Sequence, residues 1–156
     1  MPAIFLFGLV SLLLACAKES TTPTSVVGTY DLTAFNGESL PYKRDSAGPN
    51  TYFATTAMTL RFNADGSWAV TESGEFVNGS QRSVTSFTDV GTWTMSGSSV
   101  ALVVPPGQPC GFGATCTVES RVSGTWAGNT VTLVPEGATG PAPIAAYKAT
   151  LVFTRN

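Results

Sequence analysis

From residue 26 onward, apolar side chains return at every second position, in short runs separated by Gly, Asn, Asp, Ser and Pro. A period of two marks a strand with one face in a core, because successive side chains point to opposite faces. No window carries the 3.6-residue stripe of an amphipathic helix. Eight main strands are predicted. The first, about 26–35, sets Tyr30, Leu32 and Ala34 on one face; Asn36-Gly37 ends it, and Leu40-Pro41-Tyr42 adds a short extended piece. The second, about 52–63, turns Met58, Leu60 and Phe62 inward, and the third, about 67–77, aligns Trp68, Val70 and Phe76. Asn78-Gly79 is a strong hairpin signal, since both residues tolerate positive φ. The fourth strand, about 81–95, has room for a bulge; the fifth points Val100, Leu102 and Val104 inward before Pro105, Pro106 and Pro109 break the ladder. The sixth, about 116–126, carries Val118, Val122 and Trp126, and the seventh covers about 130–134. A Gly/Pro loop from Pro135 to Pro143 leads to the last, about 145–154, with Tyr147, Ala149, Leu151 and Phe153 aligned.

Consecutive strands joined by short turns form a meander, and closing it removes its unpaired edges. The expected fold is all-β: a single antiparallel up-and-down eight-stranded β-barrel, with an open β-sandwich as the alternative. Tyr30, Leu32, Leu60, Phe62, Trp68, Leu102, Trp126 and Phe153 are expected inside, joined by Trp93 and Met95 if the fourth strand keeps its register past Gly91. The aromatic members either line a ligand cavity or fill a solid core. An interior of eight strands is just wide enough for either.

Composition agrees: residues 16–156 contain 22 Thr and 14 Val against 6 Leu and one Ile, a strand-forming bias. The net charge is −2 and no basic run exceeds Lys43-Arg44, which argues against nucleic acid as a partner. There is no histidine, so the commonest general base and the commonest metal ligand are both missing. Gly-x-Ser-x-Gly, Ser-x-x-Lys and the phosphate-binding Gly-x-x-x-x-Gly-Lys are absent too. Glu72 and Glu75 form the closest acidic pair on a predicted strand, but their odd spacing points them to opposite faces, and surface solvation is expected for both. No catalytic residue, metal site or cofactor is therefore expected.

The first 15 residues break the pattern, with 12 apolar residues and no charge. The apolar run 3–15 is too short for a membrane-spanning helix, which needs roughly 20 residues, and fits the core of a secretory signal. Its end, Leu13-Leu14-Ala15-Cys16, resembles the lipobox of bacterial lipoproteins. That resemblance implies cleavage before Cys16, lipidation and acylation of Cys16, and, with Ala17 following, sorting to the outer membrane on its periplasmic side. Residues 1–15 are then a signal peptide, 16–25 a lipidated N-terminus and flexible tether rich in Ser, Thr and Pro, and 26–156 the folded domain. With Cys16 lipidated, Cys110 and Cys116 remain in an oxidising compartment and are expected to form a structural disulfide; the redox rival lacks the usual Cys-x-x-Cys at a helix start.

A small pattern repeats in the domain: Gly28-Thr29-Tyr30, Gly66-Ser67-Trp68, Gly91-Thr92-Trp93 and Gly124-Thr125-Trp126. With the ending Leu151-Val152-Phe153-Thr154-Arg155, it resembles the lipocalin-like domains of bacterial lipoproteins. The resemblance implies a calycin-type barrel with Tyr30 and Arg155 closing one end. It also implies a binding role, either for a small apolar ligand inside the barrel or, if the core is filled, for another envelope protein as an inhibitor or assembly accessory. Two outcomes follow from the N-terminal reading. Cys16→Ser should move the protein from the membrane to the soluble fraction on cell fractionation. A non-reduced digest of the exported protein should contain a peptide linking Cys110 to Cys116; two alkylatable thiols would refute the bond.

Overall fold

A strand survives where alternate side chains have a core to enter and the backbone has neighbours on both sides, and the chain meets both conditions by wrapping one sheet onto itself. The computed structural model describes residues 25–109, 115–139 and 149–156, with the backbone alone for 44–48 and 135–139. The described residues form no helix. They form nine strands: β1 (Gly28–Phe35), β2 (Tyr42–Gly48), β3 (Thr51–Phe62), β4 (Ser67–Asn78), β5 (Gln81–Ser96), β6 (Ser99–Val104), β7 (Ser120–Ala127), β8 (Thr130–Thr139) and β9 (Leu151–Arg155). All pairings are antiparallel in the order β1-β9-β8-β7-β6-β5-β4-β3-β2, and β1 also pairs with β3. That last pairing closes an eight-stranded barrel and leaves β2 as an extra strand on the outer edge of β3.

The interior follows the alternation. Tyr30, Leu60, Val131, Leu133, Leu151 and Phe153 are wholly buried, with Phe62, Trp68, Val100 and Leu102 beside them. Three glycines on the inward face let the strands bend around this core. A Cβ on Gly91 would lie 2.0 Å from the Val103 carbonyl oxygen, one on Gly124 2.2 Å from that of Thr132, and one on Gly74 2.2 Å from the Phe53 ring. Glycine at a sharp barrel bend admits the close approach of a neighbour that any side chain would block.

Several expectations are corrected. The barrel has the expected eight strands; the ninth, β2, is an extra strand over Tyr42–Gly48, of which the expected short piece at 40–42 supplies only Tyr42. Register shifts in β1 between Leu32 and Ala34, and in β3 between Thr55 and Ala57, reset the alternation. Phe35 rather than Ala34 is consequently buried in β1, and Thr55 rather than Thr56 in β3. β5, where a bulge was allowed, pairs with β4 in unbroken register. Phe76 is 45% exposed instead of joining Trp68 and Val70, because β4 runs past the barrel rim there. Met95 is 41% exposed, lying in the β5–β6 hairpin beyond the other end of the core. Val118 is 53% exposed because the chain before Ser120 belongs to a loop, in which Cys116 N–H donates to Gln108 O and Gly107 N–H to Cys116 O. The expected last strand is described only from Leu151, and Tyr147 lies outside the described residues.

Gly91→Ala should cost about 1–3 kcal/mol or more through overpacking, whereas Gly97→Ala, with nothing within 4 Å of its Cβ, should cost only the strain of its φ of +60°, about 1–2 kcal/mol. Thermal unfolding of the two variants checks the order.

Candidate functional site

The Gly-x-aromatic repeat places its four rings at one end of the barrel, beside the β3–β4, β5–β6 and β7–β8 turns. Tyr30 meets Phe62 edge-on at 5.8 Å between centroids, and Phe62 meets Trp93 at 5.4 Å. Trp68 is 2% exposed, and its indole N–H donates across Gly91 to Val103 O at 3.4 Å. Trp93 and Trp126 are half-buried and pack against the same core; the Trp93 N–H donates to Asn63 O at 3.1 Å. Trp126 is thus less enclosed than the sequence pattern implies, since it lies two residues before the β7–β8 turn.

Arg155 seals this end. Its Nη2 donates to the Tyr30 hydroxyl at 2.8 Å, to Val27 O at 2.7 Å and to Ser25 O, while its guanidinium lies 5.1 Å from the centre of the Tyr30 ring. The Tyr30 hydroxyl in turn donates to Val26 O at 2.8 Å. Gly28 leaves the space for the guanidinium: a Cβ there would come within 3.1 Å of Nη2. Hydrogen bonds from a charged donor are the strong ones, and these tie the first and last strands to the chain entering the barrel.

The opposite end is more polar. Thr55 and the two buried carboxylates, Glu72 and Asp89, face inward from β3, β4 and β5. Glu72 sits opposite Phe87 in the ladder and Asp89 opposite Val70, which makes the carboxylates diagonal neighbours on adjacent strands. Thr55 donates its hydroxyl to Glu72 Oε1 at 2.6 Å. The solvated Glu72 expected from sequence is therefore corrected: it is 5% exposed, with Thr55 brought to it by the bulge in β3. Glu75 faces outward and pairs with Arg82 at 2.8 Å. No group of three or more His, Cys, Asp or Glu gathers among the described residues.

A cleft of about 380 Å³ opens in the barrel wall where β5 parts from the chain after β6. Asn63 and Ser67 form one wall, Pro105 and Gln108 the other, and Trp68 and Val90 the floor between them. The first wall is a hydrogen-bonded turn in which Asn63 Nδ2 donates to Ser67 Oγ at 2.9 Å. The Ser67 hydroxyl and amide both donate to Asp65 and hold its carboxyl below the usual carboxylate range. No lining residue is charged, so the cleft suits an uncharged group.

Of the remaining sequence candidates, Cys16 and Cys110 lie outside the described residues, whereas Cys116 is buried against the core. No family model matches the chain, and neither a curated protein nor a solved structure is similar to it at a significant level. The sealed end yields a prediction. Tyr30→Phe leaves Arg155 and Val26 O each short of one buried partner, and should cost about 1–3 kcal/mol in urea unfolding; an unchanged midpoint would remove Arg155–Tyr30 from the account.

Proposed function

We propose that the chain is a lipid-anchored binding protein of the bacterial cell envelope, held at the outer membrane and facing the periplasm, with no catalytic role. In this reading it acts by contacting another envelope protein, and the barrel is a scaffold rather than a container for a small apolar ligand. The observation that carries the choice is the packing of the barrel's inner face: Tyr30, Leu60, Phe62, Trp68, Leu102 and Phe153 occupy it together. An enclosed ligand site needs a few hundred Å³ of interior lined by such groups, not filled by them. The described cleft is lined by residues of the β3–β4 turn, of β4, of β5 and of the chain after β6, in the barrel wall. Membrane attachment and location rest on the lipobox-like Leu13-Leu14-Ala15-Cys16, and the scaffold reading fits the resemblance to lipocalin-like lipoproteins.

The test is a titration of protein beginning at Ala17 with an apolar fluorescent probe, together with acrylamide quenching of its tryptophans. Emission should be blue-shifted, one class of tryptophan should resist quenching, and the probe should not bind. Stoichiometric probe uptake reversed by a lipid or metabolite would overturn the scaffold reading in favour of a ligand-filled barrel.

A further inference from the structure

We propose that the end of the barrel carrying the Gly-x-aromatic rings rests on the membrane, with the partly exposed Trp93, Met95 and Trp126 set among the lipid headgroups and the opposite, charged end held away from the bilayer. The inference rests on the lipid-anchored reading above and gives the barrel its orientation.

The chain enters the barrel at the ring end, where the Arg155 guanidinium holds Ser25 O and Val27 O. Ser25 is nine residues from Cys16, so even a fully extended chain reaches at most about 32 Å from a lipid on that cysteine. The opposite end is farther off than that. β5 has 16 residues, which is about 50 Å along the strand at roughly 3.3 Å per residue. At a strand tilt of roughly 40° this leaves about 38 Å of height. A barrel standing on its β4–β5 hairpin tip would lift Ser25 beyond the reach of a lipid still seated in the bilayer.

The ring end also has the chemistry of an interface. Met95 is 41% exposed, and Trp93 and Trp126 are half-buried on the strands either side of β6. Each lies opposite a buried residue of the inner face, Val100, Leu102 and Val131 respectively, so the uncovered parts look out of the barrel mouth and not from its wall. Tryptophan concentrates at membrane–water interfaces because its ring is apolar and its N–H polar. The three turns around the mouth, 63–66, 96–98 and 127–129, carry a single charge, Asp65, which is bonded to Ser67. The far end is the reverse. Lys43-Arg44-Asp45 on β2 lies there with the Glu75–Arg82 pair, so the exposed Phe76 stands among charges that a bilayer would have to strip of water.

The test uses the full chain with its lipid in phosphatidylethanolamine–phosphatidylglycerol vesicles, with and without phosphatidylcholine brominated in its acyl chains, a quencher of nearby tryptophan. Trp93→Phe with Trp126→Phe leaves the buried Trp68 as background. Ser98→Trp then adds one ring at the β5–β6 turn and Ser80→Trp one at the β4–β5 tip, both exposed positions. Brominated lipid should lower the emission of the wild-type chain and of the Ser98→Trp chain, and leave the double Phe variant and the Ser80→Trp chain unchanged. Made in the wild-type background, the two additions give the same comparison if the Phe pair unfolds the barrel. Equal loss at 98 and 80, or no loss in the wild-type chain, overturns the orientation. Flotation of the same vesicles reads the anchor separately. Protein that floats through Cys16 without being quenched keeps the anchored reading and loses the orientation, whereas a wild-type chain that floats no better than Cys16→Ser ends both.

Discussion

Everything in this barrel depends on β1 being hydrogen-bonded on both edges. Gly28–Asp31 pair with β3 and Tyr30–Phe35 with β9, so eight residues turn an open meander into a closed wall. Without that double pairing the inward faces of β3 and β9 would meet water along a seam. Tyr30 sits where the two ladders overlap, opposite Leu60 on one side and Arg155 on the other. The Arg155 guanidinium, holding the Tyr30 hydroxyl and two carbonyls of the incoming chain, fixes this junction electrostatically. The charge is held there by Nη2, which meets three oxygens, while the buried Nε has no hydrogen-bond partner.

The same closure explains the Gly-Thr-Trp repeat. A closed sheet must bend and tilt, and Gly91 and Gly124 let the neighbouring backbones come within a distance that forbids a Cβ. Two residues later the next inward position carries a tryptophan, which covers the end that the bend has just narrowed. The repeat is thus one mechanical device used on β5 and again on β7. At the other end β3, β4 and β5 run on beyond the narrow barrel and gather Thr55, Glu72 and Asp89 on their inner side. At that end β6 stops at Val104 while β4 and β5 continue, so among the described residues no strand pairs with β5 before Thr92 on the side away from β4.

Strand positions were largely legible in the sequence because alternation and turn residues act locally. Asn78-Gly79, Ala64-Asp65-Gly66 and Ser96-Gly97-Ser98 all separate strands where the pattern placed them. Closure was legible more indirectly, from short connections and the advantage of having no edge. Which residue occupies a given inward position was not legible near Thr33 and Thr56, since a bulge shifts the phase by one residue and nothing in these Thr-rich runs marks it. Glu72 shares the inward face of Trp68 and Val70 by alternation, so its burial follows the pattern on β4; what was not legible is the partner that permits it, since Thr55 faces inward only because of the bulge in β3. The extra strand β2 was obscured by its polar composition, Lys43-Arg44-Asp45-Ser46, which fits an edge and not a core. The cleft has no sequence signature at all, because it arises from the parting of two strands and not from a motif.

A closed and filled scaffold that works through its outer surface makes the double pairing of β1 the feature to probe. Native-state hydrogen exchange measures it directly, as amides that open only with the whole fold exchange at the global rate. The amides of Tyr30, Asp31 and Leu32 should be among the slowest in the chain, matching those of Leu60 and Phe153 and slower than those of β2, which has only one neighbour. Fast local exchange throughout β1, with β3 and β9 still protected, would mean that the wall is open at this seam and would contradict the closed barrel.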